Sequence, residues 1–412
     1  MKWCVMIQRP RGTRDFFPDE LEGRRSIEAA MRKAVSCWGY REIATPAFEH
    51  LELFTTRSGE GIVGEMYAFQ DKGGRDISLR PELTAPVLRM YVNEAKVLKK
   101  PVRWYYMGDC FRYERPQKGR YRQFWQFGVE LIGADSAYAD AEVMAVGHDL
   151  LRSAGVSFEL RVGDLAMMRS LLANLDPVLQ KQVRGCLDKR DYGALEEIDL
   201  DADLSLNLRA LIESKTLDDA FAITGPIPEE ERIRETFGML EAHGVPFVQN
   251  FGIARGLDYY TGSVFEAFAE NLGAENQIMG GGAYRLAHLF GGEDTPSCGF
   301  AIGFDRVMVS RGETLVKRPC TVAVATTPEG RRYGISVAAA FRTAGVRTIA
   351  DLLGRSLSAQ LSQAAKHADY VVVIGAREAE AGMVTLRNLA TGEQEMVTIQ
   401  DAVAGVVGSG TC

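Results

Sequence analysis

Apolar residues recur every three to four positions over 21–38, where Ile27, Met31, Ala34, Val35 and Trp38 fall on one stripe. That spacing predicts a helix with one buried face, and Gly39 ends it before a short extended run to Pro46. Over 103–133 the period falls to two, predicting two strands around a loop. In the second strand Trp125, Phe127, Val129 and Leu131 share one face, while Phe124, Gln126, Gly128 and Glu130 share the other. The first face reads as core. The second sets an exposed aromatic, an amide and a carboxylate beside a glycine that leaves room, which is how a strand offers polar groups to a small ligand.

Helical spacing returns over 137–154, and a segment rich in Leu, Ala, Asp and Glu follows, closed by Pro226 and Pro228. It reads as a mostly helical insert at 166–243. Strand character resumes over 245–253 and leads, past a glycine-rich run at Gly280-Gly-Gly-Ala-Tyr-Arg285, to Gly299-Phe-Ala-Ile-Gly-Phe-Asp-Arg306, where a strand of small residues feeds a helix. Val316-Lys-Arg-Pro319 marks a break. Beyond it, strands at 321–325, 346–349 and 370–375 alternate with helices at 331–344 and 357–367, the pattern of a small α/β domain on a parallel sheet. The chain therefore divides into 1–318, interrupted by 166–243, and 319–412.

A length of 412 residues fits this division into more than one core. The net charge of −7 excludes a protein that coats nucleic acid by bulk attraction. Between 166 and 241 stand 9 basic and 16 acidic residues, so the acidic excess belongs to the insert and the rest of the chain balances. No run of about 18 apolar residues predicts a membrane span, and the opening Met-Lys-Trp-Cys-Val-Met-Ile is too short for a signal peptide, so a cytoplasmic protein is expected. Seven cysteines without a C-x-x-C pair and five dispersed histidines indicate neither a disulfide framework nor a zinc site.

Two segments carry the chemistry. Arg255-Gly-Leu-Asp-Tyr-Tyr-Thr-Gly-Ser-Val-Phe-Glu266 puts an arginine and paired tyrosines ahead of a strand, and Phe111-Arg-Tyr-Glu-Arg-Pro-Gln-Lys-Gly-Arg-Tyr-Arg122 sets five cations against the single carboxylate Glu114. Guanidinium groups grip paired phosphate oxygens in a fixed plane, which suits phosphate chemistry. Together these segments closely resemble the motifs of histidyl-tRNA synthetase, a class II aminoacyl-tRNA synthetase, and the resemblance runs from Arg11 nearly to the C-terminus. It implies an α+β class II catalytic domain, an antiparallel sheet with flanking helices, carrying the helical insert and followed by an α/β anticodon-binding domain. The helix, strand and proline of 21–46 resemble the element that forms the family's dimer interface, although an ordinary amphipathic helix on a sheet explains the periodicity equally well.

The implied reaction joins L-histidine to ATP as histidyl-adenylate and then to tRNA(His), with Mg2+ bridging the phosphates and its protein ligands left open. Arg255 is the expected principal catalytic residue, with Arg112 beside it at the α-phosphate. Phe124 and Arg306 are expected on the adenine faces, Glu114 at its edge and Arg120 at the terminal phosphates. For histidine the resemblance implies Glu130 and Tyr260 at the ring, Glu82 and Thr84 at the α-ammonium, Gln126 toward the carboxylate, and Tyr259 and Tyr284 as walls. Many family members read Gly-Arg-Tyr-Asp where this chain has Gly282-Ala-Tyr-Arg285, so Ala283 and Arg285 receive no role. A non-catalytic synthetase-like regulatory subunit of ATP phosphoribosyltransferase is the alternative, though such subunits typically lack the C-terminal domain and the arginines kept here.

Overall fold

The structure, a computed structural model, describes residues 6–58, 60–117, 119–189, 191–253, 259–270, 272, 276–312 and 320–408. Arg255 and the break at 316–319 lie outside them. The chain forms two compact units, Met1–Thr314 and Leu315–Cys412.

Sixteen strands in the described residues are labelled in chain order. Arg41–Glu42 (β1), Val102–Phe111 (β5), Gln123–Ile132 (β6), Glu159–Asp164 (β7), Val248–Gln249 (β8), Tyr260–Phe268 (β9), Gln277–Tyr284 (β10) and Ser297–Gly303 (β11) form one sheet in the order β1-β5-β6-β11-β10-β9-β7-β8. Its inner pairings are antiparallel, and only the edge pairs β1 with β5 and β7 with β8 run parallel. Phe48–His50 (β2), Ala68–Gln70 (β3) and Asp76–Leu79 (β4) make a separate antiparallel sheet in the order β2-β4-β3.

The alternation of β6 falls as the sequence implies. Phe127, Val129 and Leu131 are buried in the main core together with Ile27, Met31 and Val35 of the first helix, Pro18–Cys37. That helix starts earlier than the apolar stripe because Pro18 suits the first turn, where a missing N–H costs nothing. Its stripe is spent inside this chain's own core. The insert is helical, with Leu165–Leu172, Pro177–Lys189, Tyr192–Glu196, Ala202–Glu213, Leu217–Thr224 and Glu230–Ala242, and its Val183, Leu208, Phe221 and Phe237 join the same core rather than a second one. Strand pairing over 245–253 is confined to Val248–Gln249, on the outer edge of the sheet.

The second unit holds Thr321–Thr326 (β12), Arg347–Ala350 (β13), Tyr370–Ile374 (β14), Met383–Asn388 (β15) and Gln394–Thr398 (β16), in the order β13-β12-β14-β15-β16. The first three strands are parallel, as the alternating pattern predicts. The hairpin of β15 and β16 adds an antiparallel edge that the sequence reading lacks, and the helix Ile399–Gly408 closes the unit. Cys37, Cys110, Cys186 and Cys298 are free thiols, whereas Cys320 is disulfide-bonded, a bond that scattered cysteine spacing does not announce.

Candidate active site

Strands β5, β6, β9, β10 and β11 floor a cleft of about 810 Å³. Every residue singled out from the sequence that lies within the described set lines it: Glu82, Thr84, Arg112, Glu114, Arg120, Phe124, Gln126, Glu130, Tyr259, Tyr260, Tyr284 and Arg306. These residues come from distant parts of the chain, and the sheet register brings them together.

At the deep end stands Glu130, only 1% exposed. Tyr284 donates to its Oε2 at 2.5 Å and Tyr106 to its Oε1 at 3.2 Å, and the Thr84 hydroxyl is also bonded to it. Two glycines make the slot. A β-carbon on Gly299 would stand 1.9 Å from Glu130 Oε2, and one on Gly128 would strike the Tyr106 ring at 2.2 Å. Burial pushes Glu130 up to about 7; hydrogen bonds from Tyr284, Thr84 and Tyr106 oppose that rise, while the nearby Glu82 carboxylate adds to it. Tyr106 and Tyr284 are themselves pushed well up, by burial first and then by the Glu130 charge.

Glu82 spends its two oxygens on the Thr84 and Ala85 amides, at 2.6 and 3.0 Å, and so caps the helix Thr84–Met90. This fixes a second carboxylate at the same end of the cleft. Gln126 accepts from the Cys110 thiol at 3.3 Å, which orients its amide. The Tyr259 and Tyr260 rings lie 4.4 Å apart between centroids, and Tyr260 packs against Tyr284 in the second core cluster.

Cations occupy the other end. Arg112 lies 5.1 Å from the Phe124 ring centre, donates to the Pro81 carbonyl at 2.9 Å, and stands 3.9 Å from Glu114. The other Glu114 oxygen pairs with Arg120. Arg306 donates to the Gln277 carbonyl at 2.7 Å. Ala283 and Arg285, the departures from the family pattern, lie to the side: Arg285 pairs with Asp135 and, at 3.0 Å, with Asp294, and both line a smaller cavity of about 190 Å³ beside the buried Asp140 and Asp164.

Sequence reasoning missed Tyr106. The period of β5 alone does not single it out; its register against Gly128 of β6 does. Among the described residues no group of three or more His, Cys, Asp or Glu is arranged to hold a metal ion, and no helix is long and apolar enough to cross a membrane.

Residues 12–307 match the family model for histidyl-tRNA synthetase, and residues 320–408 match that for an anticodon-binding domain. The histidine–tRNA ligase of Methanoregula boonei is 62% identical over 408 residues, covering 98% of this chain and 100% of that protein. That of Methanosphaerula palustris is 61% identical over 405 residues, covering 98% and 99%. The structure of apo S. aureus histidyl-tRNA synthetase superposes with a TM-score of 0.76 at 30% identity, over 97% of this chain and 100% of that one.

The raised Glu130 value gives a test of the slot. A carboxyl held above its ordinary range of about 4.3 contributes stability that is full at acid pH and is lost as pH rises through the folded value, here about 7. Glu130→Gln removes the charge, so its melting temperature relative to wild type should climb between pH 5 and pH 8.5; a difference that does not vary with pH would mean that Glu130 is not held in a desolvated slot. With cations at one end, a caged carboxylate at the other and matching models along nearly its whole length, the chain belongs to the histidyl-tRNA synthetase family.

Proposed function

We propose that this cleft activates L-histidine with ATP and passes it to tRNA(His), making the chain a histidine–tRNA ligase. The observation that carries the reading is the convergence of the assigned residues on one cleft, with acids at its deep end and arginines at the other. A histidine carboxylate oxygen attacks the α-phosphorus, the bond to pyrophosphate breaks, and the adenylate then yields its acyl group to a terminal ribose hydroxyl of the tRNA while AMP leaves.

Each part of the cleft suits one part of that chemistry. Glu130 accepts a ring N–H of histidine and Tyr260 serves the other side, so a ligand lacking those polar atoms would strand buried groups at a cost of several kcal/mol. Glu82, fixed by the helix it caps, and Thr84 face the α-ammonium; because the Thr84 hydroxyl also reaches Glu130, the ring and ammonium subsites adjoin. Gln126 turns toward the substrate carboxylate, and Tyr259 and Tyr284 form walls. Arg112 and Arg255 meet charge as it develops on the α-phosphate, where waiting cations stabilise the transition state without reorganisation. Phe124 and Arg306 enclose the adenine, Glu114 reads its edge, and Arg120 reaches the terminal phosphates once it exchanges Glu114 for ATP. Mg2+ would accompany ATP and offset charge on its phosphates, and the cleft carboxylates Glu114 and Glu266 would be candidates to hold it.

The C-terminal domain, 319–412, reads the anticodon. It carries eight basic and eight acidic residues, so recognition depends on hydrogen bonds and stacking to unpaired bases more than on net charge. The regulatory-subunit alternative has less behind it: Arg112, Arg255 and Arg306 are retained, and the likeness to ligases spans the whole chain. The protein works in the cytoplasm as a homodimer. Support for the dimer comes from the small sheet, where register puts Phe48, Phe69, Ile77 and Leu79 on one face and Phe48 and Phe69 are 58% and 49% exposed. Apolar area of this kind suits a second copy better than water.

Purified protein should catalyse histidine-dependent exchange of pyrophosphate into ATP and respond to no other standard amino acid; equal stimulation by a second amino acid would overturn the assignment. Sedimentation at micromolar concentration should show a dimer that Phe48→Asp with Phe69→Asp converts to monomer. A wild-type monomer that still activates histidine would refute the dimer, and a double variant that stays dimeric would place the interface elsewhere.

A further inference from the structure

The cations assigned to ATP stand on two separate pieces of chain. Arg112 and Arg120 belong to the stretch between β5 and β6, and Arg306 to the helix Phe304–Arg311, so productive binding requires those pieces to keep one spacing. A segment with no role so far, 12–16, touches both. Gly12, at φ +87°, accepts the Arg122 amide at 2.9 Å. A β-carbon there would come within 2.8 Å of the Arg122 side chain and 2.9 Å of Pro116, so glycine is what lets the segment lie against the loop.

Two residues on, Arg14 sets its guanidinium 3.9 Å from the centre of the Tyr121 ring and hydrogen-bonds Asp305. Tyr121 adjoins Arg120 and Asp305 adjoins Arg306, so one side chain spans the loop and the helix. Asp305 is 2% exposed, takes Arg24 at 2.9 Å on the oxygen that Arg14 uses, and gives its other oxygen to the Trp125 amide at 2.8 Å. Arg24 is in turn boxed by Phe16, Trp125 and Phe304 at 4.4, 5.0 and 5.0 Å. Buried charges held by one another and by aromatic faces keep a single geometry, because moving any one strands the rest. Arg14 itself does not line the cleft, whereas Tyr121 and Asp305 do.

We propose that Arg14 is a positioning residue for ATP: it clips the loop that carries Arg120 to the helix that carries Arg306. This rests on the assignment of those two arginines to the nucleotide. Losing the clip lets the two cations drift apart, which weakens a ligand that must touch both and spares histidine, whose subsite is built on β6, β10 and the helix Thr84–Met90.

Full-length Arg14→Ala and Arg14→Lys test it through the KM values for ATP and histidine in pyrophosphate exchange, the ATP Kd by calorimetry, the melting temperature, and amide hydrogen exchange over 113–122. Arg14→Ala should raise the ATP KM and Kd about tenfold and leave the histidine KM within about twofold. Exchange at the Arg122 amide should quicken. Arg14→Lys keeps the charge beside Asp305 but loses the flat stack on Tyr121, and should fall between wild type and alanine. Parallel rises in both KM values, or a lower melting temperature with unchanged ATP affinity, would overturn the proposal. If wild type itself showed no histidine-dependent exchange, the reading of the cleft would fail, and the ATP Kd of the same variants would still decide the role of Arg14.

Discussion

The site depends on burying one carboxylate without neutralising it by a cation. Glu130 sits in the sheet interior with two tyrosine hydroxyls and a threonine hydroxyl on its oxygens and no guanidinium against it among the described residues. An ionised carboxylate so placed costs several kcal/mol in desolvation, which hydroxyl donors only partly offset. A ligand that brings a positive or strongly polar N–H completes what the protein leaves incomplete. Under the proposed function that ligand is the imidazole of histidine.

That demand shapes its surroundings. Gly299 and Gly128 are small because the carboxylate and the Tyr106 ring fill the space above them, and β11 and β5 flank β6 so that both fillers converge on it. The charge gradient along the cleft has the same origin. Carboxylates at the deep end would repel a triphosphate, and arginines on the loop after β5 and on the helix after β11 draw it to the open end. Under the proposed function the two substrates sort themselves by charge, with the histidine carboxylate and the α-phosphate meeting between.

Much of this was legible in the sequence, for physical reasons that differ by element. The period of two in 123–132 separates Phe124, Gln126 and Glu130, which line the cleft, from Phe127, Val129 and Leu131, which are core, although Trp125 of the core face reaches the cleft as well. The α/β alternation after 319 predicts the parallel strands β12, β13 and β14. Residues such as Arg112 and Arg306 were placed by their likeness to family motifs rather than by any pattern of spacing. What stayed hidden was set by pairing across long separations. Tyr106 looks like core until β5 is known to place it over Gly128, and the union of Arg14, Arg24 and Asp305 joins residues about 280 to 290 apart in sequence. Nor does the stripe of 21–38 reveal which core it enters; Ile27, Met31 and Val35 enter the core of their own chain.

The proposed function makes Glu130 a desolvated carboxylate that the histidine ring relieves. Carbon-13 NMR of protein labelled at the glutamate carboxyls tests it directly, with the Glu130 signal identified by its absence from Glu130→Gln. In the empty protein that signal should titrate near pH 7, and saturating histidine should move its midpoint to lower pH, because a ring N–H donated to the carboxylate favours the charged form. A midpoint in the ordinary carboxylate range, or one that histidine leaves where it was, would contradict the account.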